Sequence, residues 1–119
     1  MKTIAKRASG FTLVEIMIVV AIIAILVAMA IPILGRARES SQRNTCIANL
    51  RQMDSTITSW AVEARKSVGA DIDTSALFGP TNLLREIPIC PAGGEFQFWT
   101  VGARPQVSCS FSDQGHVLP

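Results

Sequence analysis

The sequence predicts an α+β chain. One long N-terminal α-helix, membrane-spanning in its first half and amphipathic in its second, is covered by a small antiparallel β-hairpin head. Three observations carry this reading. Ile16 to Leu34 is an unbroken apolar stretch. Apolar residues then recur at spacings of three and four from Cys46 to Val68. Further on, Phe96 and Phe98 share one face of an alternating run, and Val107, Cys109 and Phe111 share a face of the next.

The apolar stretch dominates the composition. Of the 119 residues 49% are hydrophobic and only 17% charged, and the mean hydropathy of +0.36 is high for a soluble domain of this size. As a helix, the stretch is roughly 28 Å long at about 1.5 Å per residue, which spans a membrane. Gly35 to Pro119 remains, enough for one small domain with a thin core. From Gly35 onward eight Lys and Arg stand against eight Asp and Glu, so the head is neutral and bulk charge gives no support for nucleic-acid binding. The chain has no Tyr, one His, and no Cys-x-x-Cys, glycine-rich phosphate loop or paired acids. Metal, nucleotide and hydrolase chemistry find no motif, and neither an enzyme activity nor a cofactor is expected.

At the N-terminus, Lys2, Lys6 and Arg7 precede the apolar segment, and between Arg7 and Arg36 the only charge is Glu15. A cleaved secretory signal would use the basic start and the Ala28-Met29-Ala30 site, but an acid inside the apolar region fits that poorly. A plain anchor leaves Glu15 unexplained, because a carboxylate costs roughly 2.5 to 3.5 kcal/mol at mid-bilayer and calls for a partner. Basic residues on the far side, Arg36, Arg38 and Arg43, nearly match the near ones. Only a slight excess orients the N-terminus toward the cytoplasm.

The run Lys6-Arg7-Ala8-Ser9-Gly10-Phe11-Thr12-Leu13-Val14-Glu15 before the apolar segment closely resembles the prepilin leader and N-terminal helix of type IV pilins and type II secretion pseudopilins. The resemblance implies that a membrane peptidase cuts after Gly10 and that the new N-terminal Phe11 is N-methylated, so that the mature chain runs from Phe11 to Pro119. It also implies that Glu15, one turn away, neutralises the ammonium of a neighbouring subunit during assembly, setting register more than net stability. The implied product is a non-enzymatic subunit of a helical homo-oligomeric filament. Its implied partners are the prepilin peptidase and methyltransferase, a polytopic assembly platform protein, a cytoplasmic ATPase and inner-membrane lipid. The filament would serve secretion, adhesion, motility or DNA uptake. The competing class is a monomeric exported binding domain tethered to the membrane.

Pro32 lacks the amide that would bond the Ala28 carbonyl and is expected to kink or loosen the helix, with Gly35 weakening the same region. Pilins have a proline at the corresponding place, which makes Pro32 a further assembly position. Beyond it the stripe Cys46, Leu50, Met53, Ile57, Trp60, Ala61, Ala64 and Val68 needs a cover, and only the chain after Gly69 can supply one. Asp71 to Ser75 reads as a capped turn, with a short helical piece through Leu77 or from Pro80 to Glu86. The chain thus divides into a leader over 1–10, a transmembrane and polymerisation helix over 11–34, and a head over 35–119. The head comprises helix 35–68, a connecting loop 69–94, and a hairpin with tail over 95–119.

Three cysteines beyond a membrane segment suggest an oxidising exterior with one bridge and one thiol left over. Cys90 and Cys109 bracket the hairpin, and a bridge closing about 20 residues would contribute roughly 3 kcal/mol. Pilins often carry such a C-terminal disulfide-bounded loop. Cys46, mid-stripe, reads as a buried unreactive thiol or as a partner of either, and the connectivity stays open. His116 reads as a solvated tail residue. Asp71, Asp73 and Asp113 fall short of the dense oxygen ligands of a calcium loop. Arg36 and Arg43 are placed against lipid headgroups or neighbouring subunits rather than DNA.

Overall fold

The computed structural model describes residues 9–119; residues 1–8, most of the expected leader, lie outside the described residues. Helix α1 runs Leu13–Glu63, a short α2 Thr74–Leu77, strands β1 Phe96–Phe98 and β2 Val107–Cys109 follow, and a 3-10 turn covers Ser112–Gln114. The helices and the one small antiparallel sheet give the α+β architecture that the hydropathy pattern predicts. Two compact units divide between Arg36 and Ala37.

In the first unit, every large apolar side chain from Phe11 to Leu34 is exposed. An 18-residue stretch of α1 is long and apolar enough to cross a membrane, and none of it is buried within the protein. The helix continues through Pro32 and Gly35 without a break. The sequence argument for loosening is therefore not realised as a loss of helix. A proline forfeits one hydrogen bond and crowds one turn, and the hydrogen bonds on both sides can carry the helix past it.

In the second unit, α1 buries one face only: Cys46, Leu50, Met53, Ile57, Trp60 and Ala61. Leu77, Cys90, Val101, Val107 and Cys109 complete the core, flanked by half-buried Phe78, Phe96, Phe98 and Phe111. The predicted stripe holds as far as Ala61 and then stops, since Ala64 and Val68 are exposed. The helix ends at Glu63 because Arg65 turns left-handed with φ 51°. There the Arg65 amide bonds the Val62 carbonyl at 3.2 Å and the Lys66 amide bonds the Ala61 carbonyl at 2.8 Å. This is a Schellman cap built without glycine, which the sequence does not announce.

Asp73 caps α2, its carboxylate accepting from the Ser75 amide at 3.0 Å. Hydrogen bonds to the hydroxyl and amide of Ser75 hold its carboxyl below the usual range. Pro80 to Glu86 is not helical. Instead the Gly79 amide bonds the Leu84 carbonyl at 2.9 Å and the Leu84 amide bonds the Leu77 carbonyl at 3.1 Å, closing a tight loop. The Asn82 side-chain amide fills it, donating to the carbonyls of Ser75 and Phe78.

The hairpin pairs Phe96 with Cys109, Gln97 with Ser108 and Phe98 with Val107. The alternation thus turns Cys109 and Val107 into the core and Gln97 out to solvent. Buried Gln106 ties the connecting loop to α1. Its Nε2 donates to Asp54 Oδ1 at 3.0 Å and Thr58 Oγ1 at 3.2 Å, while its Oε1 accepts from the Gly102 amide at 3.0 Å. Asp54 and Thr58 are one turn apart on α1, which is why a single amide can bridge both.

Candidate functional site

The start of α1 gathers Gly10, Phe11 and Glu15. Gly10 and Phe11 are exposed, Phe11 by 81%, and among the described residues nothing beyond its chain neighbours lies within 4 Å of where a Gly10 side chain would stand. Thr12 is the N-cap residue. Its Oγ1 accepts from the Glu15 amide at 3.2 Å, and Glu15 Oε2 accepts from the Thr12 amide at 3.5 Å. This reciprocal pair is a capping box, with Glu15 at the third helical position and favourably placed in the positive field of the helix start. Reading Glu15 only as a membrane charge misses this role, although the Thr-x-x-Glu spacing signals it. Pro32 lies roughly five turns further along α1 and makes no part of this arrangement.

A second group of functional side chains assembles in the head. Cys46, Cys90, Cys109 and His116 are all buried, and their ligating atoms lie within 4.8 Å of one another. The three cysteines are free thiols, and Cys46 joins Cys90 and Cys109 rather than standing apart from them. His116 corrects the expectation of a solvated tail residue, being 4% exposed. The Gly115 left-handed turn, φ 86°, and the bond from the His116 amide to the Phe111 carbonyl at 3.2 Å fold the tail inward. The imidazole Nδ1 stands 3.6 Å from Cys90 Sγ, and the ring meets Phe111 edge-on at 5.8 Å.

Each member is placed by a separate element. Cys46 belongs to the buried face of α1 and Cys109 to β2. The Cys90 loop is clamped onto α1 by the Asn49 side-chain amide donating to the Ile89 carbonyl at 3.1 Å and Gln42 Nε2 donating to the Pro91 carbonyl at 3.2 Å. Left-handed Gly93 closes the turn, its amide bonding the Cys90 carbonyl at 2.9 Å. The backbone amides of Ala92 and Gly94 then point at the Cys90 sulfur. Burial pushes the Cys90 thiol up, but hydrogen bonds from Cys46, from these two amides and from Cys109 outweigh it, and the net direction is down. Cys46 goes the other way, raised by burial and by its neighbours' sulfurs. The four are widely and unevenly spaced along the chain, so no contiguous motif marks them. The Cys-Pro-x-Gly-Gly turn and the late His are the local signals.

Comparison with known proteins bears on the first group. A family model described as the prokaryotic N-terminal methylation motif matches residues 5–31. The type II secretion system core protein G of Klebsiella michiganensis is 23% identical over 120 residues, covering 91% of this chain and 84% of that protein. No solved structure matches. The motif falls on the basic-to-apolar junction and the unburied half of α1, and the similarity extends through the head. A methylation motif thus opens a long apolar helix with a small head after it, and over most of its length the chain is similar to a type II secretion core protein.

Proposed function

We propose that this chain is a non-enzymatic filament subunit of the type II secretion pseudopilus kind, cut after Gly10, N-methylated at Phe11 and assembled through its N-terminal helix. The observation that carries the reading is the methylation motif over 5–31 on a helix whose apolar side chains find no cover in their own chain. Burial must then come from lipid before assembly and from neighbouring helices after it. Glu15 is the sole charge in that segment, and the mature Phe11 ammonium is the complement it would meet at a subunit interface. The subunit would wait in the inner membrane with its N-terminus cytoplasmic, over residues 11–34, and present residues 35–119 as the head of a periplasmic or extracellular filament. The prepilin peptidase, its methyltransferase activity, an assembly platform protein and a cytoplasmic ATPase are the partners this requires.

Processing supplies the direct test. Mass spectrometry of the mature protein should find N-methyl-Phe11 as the first residue. An intact Met1, or a start at Ile31, rules the reading out. Gly10→Val should leave an uncut, membrane-bound chain, because a branched side chain would occupy the open space beside the bond to be cut. Electron microscopy of sheared cells separates a filament from a membrane-tethered monomer.

A further inference from the structure

We propose that Cys46, Cys90, Cys109 and His116 form a tetrahedral zinc site that fastens the head together. The donor set is three thiols and one imidazole, the ligand chemistry of structural Cys3His zinc sites. The four ligating atoms lie within 4.8 Å of one another and all four residues are buried. Bonds of about 2.3 Å to sulfur and about 2.0 Å to nitrogen at a tetrahedral angle put S and N about 3.5 Å apart. Cys90 Sγ and His116 Nδ1 are 3.6 Å apart already.

The surroundings are those of a metal knuckle. The Cys90-Pro91-Ala92-Gly93-Gly94 turn aims two backbone amides at one sulfur, the outer hydrogen bonding that holds a ligating thiolate in orientation. Gly94 must lack a side chain, since a Cβ there would stand 2.6 Å from Cys109 Sγ and 3.4 Å from Cys90 Sγ. A disulfide engages two sulfurs, whereas this arrangement converges a third and an imidazole on the same point. Three thiolates and a divalent ion leave one net negative charge, and Arg43 lies against Gly115, next to His116. Among divalent ions the soft sulfur set disfavours calcium and magnesium, and four N and S donors in this geometry favour zinc. His116 also lines an open groove of about 610 Å³ with Trp99, Arg104 and Leu118.

The test uses the full chain purified in detergent from cells supplied with zinc. Elemental mass spectrometry should find one zinc per chain. Exchange for cobalt should produce the visible bands of a tetrahedral ion and a sulfur-to-cobalt charge-transfer band. Cys46→Ser and His116→Asn should each weaken zinc binding by about tenfold or more. His116→Cys, which supplies a fourth ligand as sulfur, should keep the metal and so guard against mere misfolding. A chelator should lower the melting temperature of the parent head and leave that of His116→Asn unchanged. The proposal is overturned by a Cys90–Cys109 disulfide in metal-free protein, or by zinc occupancy indifferent to Cys46→Ser. It is likewise overturned by a cobalt form without thiolate bands. All readouts come from the purified subunit, so they stand whether or not the chain assembles.

Discussion

The two halves of α1 belong to one unbroken helix and have opposite fates. Up to Leu34 the helix is apolar all round and its large side chains are all exposed. From Cys46 to Ala61 it is apolar on one face, and that face is buried by its own chain. A helix apolar all round has no side to offer water, so its partner must be lipid or other helices. A one-sided helix can be completed by the loop and hairpin that follow it, provided they are pinned. On the proposed function the first half serves association and the second stability, and this division can be tested by substitutions that should act in only one.

The largest effect is expected at Glu15. Glu15→Leu makes the first half more apolar, so membrane insertion should be at least as good as in the parent. The Phe11 ammonium would lose its complement in an interface repeated at every subunit, and leaving one buried charge unpaired costs about 3 to 5 kcal/mol. Filament yield in the sheared fraction should collapse while total membrane-bound protein is unchanged. Normal yield with normal processing would remove the division of labour.

In the second half, fully buried Leu50 sets the next scale. Leu50→Ala should destabilise the head by about 2 to 5 kcal/mol in thermal or denaturant unfolding. Leu26→Ala, on an exposed position of the first half, should leave head unfolding where it was. A head that melts earlier with Leu26→Ala would show that the halves are not separable. Gln106→Leu sharpens the same point at smaller size. It leaves the Gly102 amide and the Asp54 and Thr58 side chains without their shared partner, costing about 1 to 3 kcal/mol.

The smallest effect concerns Asp73, whose carboxyl is held low by Ser75. A depressed pKa means that the cap's contribution is present above the unfolded-state pKa and is lost as pH falls through the folded one. Head stability should therefore decline on acidification through that window, and Asp73→Ala should flatten this part of the profile. An identical acid profile in the variant would show that the cap carries no pH dependence.

Periodicity made the helix, its buried face and the two strands of the hairpin legible, because both patterns follow from geometry that every residue obeys. The buried positions from 46 to 61 and the alternating runs at Phe96–Phe98 and Val107–Cys109 fall where spacing puts them. The helix end was not legible, since Arg65 adopts a left-handed turn without glycine to mark it. Pro80 to Glu86 has a helix-start proline, but Asn82 satisfies the carbonyls of Ser75 and Phe78 and holds a loop instead. At the N-terminus the methylation motif could be read residue by residue because its elements are contiguous. The thiol and imidazole cluster could not, because α1, the Cys90 loop, β2 and the tail each supply one member, and only the fold brings them together.

The capping box gives Glu15 a second employment. A carboxylate has about four lone-pair sites, and the Thr12 amide takes one of them, which leaves room for a neighbour's ammonium without undoing the helix start. The local task accepts Glu or Gln, because only those reach back from the third position to the cap. The task proposed between subunits would accept Glu or Asp, because only those carry the charge. Gln would begin the helix and greet no neighbour, and Asp would carry the charge on a side chain one methylene short of the cap. One amino acid satisfies both demands, and it is the one at position 15.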